Sequence, residues 1–168
     1  MSFFGDQSTK PKVIVVMPAY NAAKTLKITY EAIPHKVVDQ IILVDDGSTD
    51  KTLDIARQLQ LTVFVHTRNF GYGANQKTCY AEALKEEADI VVMLHPDYQY
   101  DPTLLPEIIA PIKAGDADIV LGSRFLGGEH TRAGYAVVEI YWQPISDRSG
   151  KLDAGAQAGR ISHGLPSL

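Results

Sequence analysis

The stretch QIILVDDGSTD, residues 40–50, decides the predicted fold of this chain. Its first part, Gln40–Val44, is a short β-branched run without polar alternation, which is typical of a buried strand in a parallel sheet. Asp45 and Asp46 follow, and after a glycine the residues Ser48–Asp50 can each cap a new helix. Acidic residues in an open turn at the carboxyl end of a parallel strand lie where α/β sheets bind ligands. The stretch therefore predicts a strand and a candidate site together.

The order of strand, polar turn and helix recurs four times along the chain. The predicted strands are Lys12–Met17, Gln40–Val44, Leu61–His66 and Asp89–Leu94. If the two acids stood alone, they would be interpreted as turn and capping residues only. Because the carboxyl ends of neighbouring parallel strands share one edge of a sheet, the four polar turns are expected to converge there. This repetition favours a nucleotide site over a purely structural turn.

The alternation of strands and helices predicts the α/β class, with a Rossmann-like, doubly wound and mainly parallel sheet that has helices on both faces. A fifth, short strand is predicted at Asp118–Leu121, and a further strand at Ala136–Trp142. We predict an ordered core over residues 1–128. Residues 129–168 are rich in small and polar residues without a period, so we predict an atypical or truncated C-terminal segment that is partly disordered.

Helix boundaries are predicted from capping residues and from apolar spacing. Asn21 is expected to cap the first helix, and Thr103 the fourth, which Pro111 should kink or shorten and Gly115 should end. The third helix is predicted to bury a face of mostly small side chains. These are Thr78, Ala81, Leu84 and Ala88.

Composition excludes several classes of function. The chain has 168 residues and a net charge of −4, and its Lys and Arg form no run, so we expect no nucleic-acid partner. Its single cysteine, Cys79, excludes an internal disulfide and is expected to be an inert, half-buried thiol. No signal peptide opens the sequence, and no apolar run approaches the roughly 20 residues that span a bilayer. We therefore expect a cytoplasmic protein with at most peripheral contact at the inner face of a membrane.

Four motifs together resemble the family 2 glycosyltransferases with the GT-A fold, and most of all their dolichyl- and polyprenyl-phosphate sugar transferases. The motifs are Met17-Pro18-Ala19-Tyr20-Asn21, Val44-Asp45-Asp46-Gly47-Ser48-Thr49-Asp50, Arg68-Asn69-Phe70-Gly71-Tyr72-Gly73 and Gly122-Ser123-Arg124-Phe125. The first two in that order are specific, whereas the glycine turn and the last motif would be weak alone. The resemblance extends from about Lys12 to Gly128.

The resemblance implies a pocket for a nucleoside. Pro18, Ala19 and Tyr20 would line the part of the pocket that holds the base. Asp46 would hold the nucleoside through hydrogen bonds to uracil or ribose, and Asp45 would support it.

The third polar turn contains two glycines, Gly71 and Gly73. Glycine allows backbone conformations that other residues resist, so phosphate or sugar can approach the main chain closely here. A glycine pair after a strand is also found in dinucleotide oxidoreductases. Gln76 stands where their third glycine should be, which argues against that alternative.

The resemblance also implies a metal site in the fourth turn, His95–Gln99. Asp97 would bind Mg²⁺ or Mn²⁺ that bridges the diphosphate, with Gln99 as a further oxygen ligand. His95 replaces the first acid of the family motif, and imidazole suits Mn²⁺ better than Mg²⁺; the alternative is that His95 only caps a turn. Arg124 would contact the phosphates or the acceptor, so Asp97 and Arg124 are the catalytic candidates.

The function implied is that of an inverting, metal-assisted hexosyltransferase. It would move a sugar from a UDP- or GDP-sugar to a polyprenyl-phosphate or saccharide acceptor. A divalent cation and an arginine would offset the charge that builds on the leaving phosphate. The alternative is a catalytically incomplete nucleotide-sugar-binding module, which is favoured by the His95 substitution and by the lack of recognisable family segments after Gly128.

Overall fold

The structure, a computed structural model, describes residues 10–122 and 140–142. In that part of the chain five strands form one sheet. They are β1 Val13–Ala19, β2 Gln40–Asp45, β3 Thr62–Val65, β4 Ile90–Met93 and β5 Ile140–Trp142. Their order in the sheet is β3-β2-β1-β4-β5, with β1 to β4 parallel and β5 antiparallel to β4.

The central strand of the five is β1, and all seven of its residues are buried. It pairs on both sides, so that Ile14 lies opposite Gln40 of β2 and Val91 of β4. A strand buried on both faces needs apolar side chains at every position, which explains why the sequence shows a continuous apolar run there.

Helices cover both faces of the sheet, which confirms the predicted fold class. The helices are α1 Leu26–Ala32, α2 Thr52–Gln58, α3 Tyr72–Lys85 and α4 Leu105–Ala114, with 3₁₀ turns at His35–Val37 and Pro102–Leu104. On one face, α1, α2 and α4 pack against Val15 and Met17, whereas α3 packs against Ile14 and Val16 on the other. No helix in the part of the chain that the structure describes is long and apolar enough to cross a bilayer.

The predicted strand at Asp118–Leu121 is wrong. These residues form no strand, and the side chains of Ile119 and Leu121 are exposed. A run of three apolar residues is too short to distinguish a strand from a loop. The fifth strand comes instead from the later prediction over Ala136–Trp142, of which the structure describes Ile140–Trp142 as β5.

The predicted buried face of α3 is partly wrong. Ala81 and Leu84 are exposed, while the residues that the helix buries are Asn75, Cys79 and Ala83. The apolar pattern of this helix is weak. The buried polar residue Asn75 bonds to the sheet and so determines which side of the helix faces inward.

The fourth helix differs from the prediction at its start. Thr103 does not cap it. Thr103 lies within the 3₁₀ turn Pro102–Leu104 that precedes the helix, and its N–H donates to the carboxylate of Asp101, which caps that turn, at 3.0 Å. Pro111 lies inside the helix, which continues to Ala114, so of the two predicted effects of this proline the helix does not show shortening. Gly115 follows with φ +77° and ends the helix as predicted.

Candidate functional site

The first and second polar turns are joined by several hydrogen bonds, two of which involve the Asn21 main-chain N–H and side-chain oxygen. Asn21 N donates to Ser48 Oγ at 2.8 Å, and Asn21 Oδ1 accepts from Thr49 N at 2.9 Å. The prediction that Asn21 caps α1 is wrong, since α1 begins at Leu26 and Asn21 has φ +52°. Asparagine tolerates this conformation better than most residues, and here it aligns the ends of β1 and β2.

The second and third turns are joined through Asp46, which is only 2% exposed. Its Oδ1 accepts from His66 Nδ1 at 2.7 Å and from Phe70 N at 2.9 Å, and its Oδ2 accepts from Gly71 N at 2.9 Å. Burial opposes ionisation, but the hydrogen bonds from Phe70, His66 and Gly71 outweigh it and hold the pKa of Asp46 below its usual 3.8. The predicted nucleoside ligand is therefore an ionised carboxylate that also organises the third turn.

Asp45 lies next to Asp46 and is entirely buried. Its Oδ2 accepts from Ser48 N at 2.9 Å, so the turn that follows β2 holds the side chain. Its Oδ1 has no hydrogen-bond partner among the described residues. A buried carboxylate oxygen without a donor is unfavourable, and a donor supplied by a ligand or by water would relieve it.

Gly47 packs the second turn directly against the third. It has φ +75°, and a Cβ at this position would lie 2.9 Å from Arg68 C and 3.0 Å from Asn69 N. The sequence identified Gly47 only as a turn residue. The close approach of two backbones was not visible in it, because the partner lies about 20 residues further on.

Asn75 is a site-forming residue that the sequence reasoning missed. It is buried on α3, where its Nδ2 donates to Val44 O at 3.0 Å and to Ala19 O at 3.3 Å. These bonds fasten the start of α3 to the ends of β1 and β2. An amide side chain on the inner side of an otherwise apolar helix face was the available signal. One turn later, Cys79 is fully buried and not half-buried as predicted, and this burial raises the pKa of its thiol to about 12, in agreement with the prediction that it is inert.

The three residues predicted to line the base pocket differ in their exposure to solvent. Strand β1 extends two residues beyond its predicted end, so Pro18 and Ala19 are buried strand residues. Tyr20 is 52% exposed and follows the strand directly. Of the three, Tyr20 alone presents its ring to solvent at the edge where the turns meet.

The two glycines of the third turn both face open space. Gly71 has φ +89° and precedes α3, and Gly73 lies in the first turn of that helix. A Cβ at either position would meet no atom of the described residues within 4 Å. The main chain here is open to the close approach that the sequence predicted.

The third and fourth turns are joined by a hydrogen bond between Tyr72 Oη and His95 Nε2, 2.7 Å apart. Gln76 Nε2 donates to the same hydroxyl at 2.6 Å. The His95 ring also contacts Tyr100 edge-on, with 5.2 Å between the ring centroids. All four turns therefore meet at one edge of the sheet, each one bonded to the next.

The predicted metal residues lie in an exposed part of the fourth turn. Asp97 and Gln99 are both exposed, and Asp97 Oδ1 accepts from Gln99 N at 3.0 Å. Residues 10–122 and 140–142 contain no group of three His, Cys, Asp or Glu side chains that could hold a metal ion. A single carboxylate still fits a hard cation that takes its other ligands from substrate phosphates and water, as Mg²⁺ sites commonly do. Arg124 lies outside the described residues.

Comparison with known sequences finds one family match and several relatives. The family described as glycosyl transferase family 2 matches residues 14–163. The UDP-N-acetylglucosamine–dolichyl-phosphate N-acetylglucosaminyltransferase of Methanococcus voltae is 30% identical over 129 residues, and the match covers 67% of this chain and 51% of that protein. The dolichol-phosphate mannosyltransferase of Pyrococcus furiosus is 31% identical over 124 residues, and the match covers 70% of this chain and 34% of that protein. The chain thus spans about half, or less, of the length of these relatives.

Comparison with solved structures finds the same fold. Glucosyl-3-phosphoglycerate synthase from Mycobacterium tuberculosis, crystallised with Mn²⁺, UDP-glucose and phosphoglyceric acid, matches with a TM-score of 0.54 and 25% identity. The match covers 63% of this chain and 40% of the synthase. The predicted GT-A architecture is confirmed for the core of the chain.

Proposed function

This chain belongs to glycosyl transferase family 2, and on that premise we propose that it forms the donor-binding part of a glycosyltransferase. The reaction is an inverting transfer of a sugar from a UDP- or GDP-sugar to a polyprenyl-phosphate or saccharide acceptor. One observation carries the proposal: four polar turns, with the acids Asp45 and Asp46 among them, are hydrogen-bonded to each other at one edge of the sheet. Carboxyl edges of this kind are where α/β sheets bind ligands.

The nucleoside is held by the second turn and by Tyr20. A carboxylate has about four acceptor positions, and Asp46 uses three of them within the protein. The remaining capacity is on Oδ2, which accepts only from Gly71 N. This oxygen offers an acceptor for a donor of uracil or ribose, and the buried Asp45 supports the turn through its bond from Ser48 N. The exposed ring of Tyr20 provides a surface on which the base stacks.

The diphosphate is held by the third and fourth turns. The open backbone at Gly71 and Gly73 allows a phosphate to approach, and Asp97 with Gln99 holds Mg²⁺ or Mn²⁺. Such a cation, when bound, offsets the charge that develops on the leaving diphosphate. His95 completes this side as a ligand or by fixing the turn through Tyr72. Arg124 is proposed to contact the phosphates or the acceptor.

A polyprenyl phosphate is the acceptor that we favour. Its phosphate is already ionised, so its attack on the sugar needs less help from a general base than attack by a sugar hydroxyl. The names of the two archaeal relatives support this choice, since both act on dolichyl or dolichol phosphate. Such an acceptor would bring the protein into peripheral contact with the cytoplasmic face of a membrane.

The test is a binding panel of UDP-, GDP- and dTDP-sugars, each with and without Mn²⁺, followed by calorimetry of the best ligand. We expect Mn²⁺ to strengthen binding to the wild type, and we expect Asp97→Asn to abolish that enhancement while it spares the metal-independent part. Asp116→Asn is the matched control, because Asp116 is an equally exposed acid outside the site. Failure of every nucleotide to bind would contradict the proposal, and full Mn²⁺ enhancement in Asp97→Asn would place the metal elsewhere.

A second candidate is a nucleotide-sugar-binding module without turnover. It is favoured by the substitution of His95 for the first metal acid, which leaves Asp97 as the one carboxylate of the segment His95–Gln99. Measurement of nucleotide-sugar hydrolysis, and of transfer to a polyprenyl phosphate, separates the two candidates. Binding without either activity would support the module.

A further inference from the structure

His66 connects two parts of the site that the sequence reasoning treated separately. Its Nδ1 lies 2.7 Å from Asp46 Oδ1, at the end of β2, and its Nε2 lies 2.9 Å from Thr78 Oγ1, on α3. The side chain is only 15% exposed. The ring of Phe70 meets the imidazole edge-on, with 5.3 Å between the centroids. The sequence reasoning placed His66 at the end of a strand and gave it no role.

The proton on Nδ1 can be assigned from its partner, because the ionised Asp46 carboxylate can only accept, so His66 Nδ1 is the donor of that bond. On the other side, His66 Nε2 and Thr78 Oγ1 are hydrogen-bonded at 2.9 Å, and Oγ1 also lies 3.2 Å from Ala74 O. The imidazole is bonded through both nitrogens, and each bond fixes its orientation.

This orientation determines what Asp46 can offer to a ligand. Oδ1 is occupied by His66 Nδ1 and Phe70 N, so that the free acceptor capacity is on Oδ2. If His66 were absent, the carboxylate could rotate, and the backbone amides of Phe70 and Gly71 would lose a fixed partner. When His66 fixes the carboxylate, Oδ2 points in one direction and the third turn keeps one conformation.

We infer that His66 is a positioning residue for nucleoside-diphosphate binding, and that it acts by fixing the carboxylate of Asp46. The inference rests on the proposed function, because it concerns the same nucleotide site. Thr78 is the anchor that holds the imidazole from the side of α3. The hydrogen bond to an ionised group is the stronger of the two, so the Asp46 side of His66 carries most of the effect.

Two substitutions separate the two sides of the imidazole. In His66→Asn the side-chain amide nitrogen lies near the position of Nδ1, so the bond to Asp46 is retained and the bond to Thr78 is lost. In His66→Gln the amide nitrogen reaches the position of Nε2, and the opposite bond is lost. With UDP and UDP-glucose as probes in calorimetry, we expect His66→Gln to weaken binding by about tenfold or more, as loss of a charge-assisted hydrogen bond predicts. We expect His66→Asn to stay within about threefold of the wild type.

A double-mutant cycle tests whether His66 acts through Asp46. If it does, His66→Gln in an Asp46→Asn background should weaken UDP binding much less than it does in the wild type. Equal effects in the two backgrounds would overturn the inference. So would the reverse order of affinities, with His66→Asn weaker than His66→Gln.

A purely structural role gives a different result. It would lower the free energy of unfolding in the variants while the folded protein kept its affinity for UDP, and that outcome also overturns the inference. If His66→Gln does not fold, His66→Phe keeps an aromatic ring and removes the same bond to Asp46, with an expected loss of about tenfold or more in affinity for UDP. A wild type that binds no nucleoside diphosphate refutes the proposed function. A wild type that binds, with variants that bind equally well, refutes only the role of His66.

Discussion

The candidate site has two halves that differ in burial and in hydrogen bonding. The inner half comprises residues 45–47 and 66–71, and Asp46 within it is 2% exposed and accepts three hydrogen bonds. The outer half comprises residues 95–99, where Asp97 and Gln99 are exposed and share one local bond. The inner half is therefore organised before a ligand arrives. The outer half needs the phosphates and the metal to complete it.

This difference follows from how each half is supported. In the inner half, Gly47 packs so closely against the third turn that no Cβ fits between them, and the amide of Asn75 fastens α3 to β1 and β2. The outer half is a turn after β4 with Tyr98 at φ +59°. Substitutions in the inner half should therefore change stability, whereas those in the outer half should change mainly the metal-dependent part of binding.

The largest expected effect is that of Gly47→Ala in the inner half. The new Cβ would meet backbone atoms at 2.9 and 3.0 Å, and alanine disfavours φ +75°. The third turn is held by the hydrogen bonds from Phe70 N and Gly71 N to Asp46, which oppose the shift that the new Cβ requires. A left-handed conformation costs about 1–2 kcal/mol and overpacking about 1–3 kcal/mol. We expect the free energy of unfolding, measured with urea, to fall by roughly 2–5 kcal/mol.

Gly73→Ala is the matched control for this substitution. Gly73 lies in the first turn of α3, and an added Cβ would meet no described atom within 4 Å. Alanine also favours a helix more than glycine does. We expect unchanged or slightly increased stability. If the two alanine variants were equally stable, the close contact between the second and third turns would not exist.

The next effect in size concerns Asp46→Asn. The carboxylate is replaced by a group that accepts more weakly and can direct its own amide donors at backbone N–H groups. We expect a loss of about 1–3 kcal/mol in the free energy of unfolding at neutral pH. Asp97→Asn in the exposed outer half should leave stability unchanged, because the amide oxygen can still accept from Gln99 N.

The effect of Asp46 should also depend on pH. Its pKa is lower in the folded protein than the ordinary 3.8, so its contribution to stability is present above that value and is lost as the pH falls through the folded pKa. The stability difference between wild type and Asp46→Asn should therefore shrink below about pH 4. Urea unfolding of both proteins at several pH values measures this. A difference that stayed constant into acid would show that the Asp46 charge is not stabilised by its donors.

Much of the fold could be predicted because its signals are local. The four parallel strands lie within two residues of their predicted bounds, since each is an apolar run that ends in polar turn residues. Strand β1 continues through Pro18 and Ala19, which the sequence assigned to the turn. Burial on both faces extends a strand beyond the point where its composition changes.

What the sequence could not predict depends on pairs that are distant along the chain. The pairing of Asp46 with His66 spans 20 residues, and nothing in the local pattern at either position indicates the other. The face of α3 is another case, because Asn75 determines it by bonding strand carbonyls while apolar counting favoured Ala81 and Leu84. Polar residues with a buried partner carry no periodic signal.

The smallest expected effect tests the bond that links the two halves. Tyr72 Oη joins His95 to Gln76 near the protein surface, and Tyr72→Phe removes that hydroxyl. Because the site is exposed and water can replace the lost partner, we expect the free energy of unfolding to fall by only about 0.5 kcal/mol. Freed from Tyr72, the fourth turn should hold the cation less well, so the Mn²⁺ enhancement of UDP-glucose binding should weaken while metal-free binding stays the same.

Tyr98→Phe is the control, since the Tyr98 hydroxyl makes no hydrogen bond within residues 10–122 and is similarly exposed. It should change neither stability nor the response to Mn²⁺. Calorimetry of UDP-glucose with and without Mn²⁺ compares the two variants. If Tyr72→Phe weakened UDP-glucose binding equally with and without Mn²⁺, the two halves would not be separable. A defect in the outer turn would then have reached the nucleoside pocket through Tyr72. Retention of the full Mn²⁺ response would mean instead that the fourth turn keeps its shape without this hydroxyl, and that His95 is held by its contact with Tyr100.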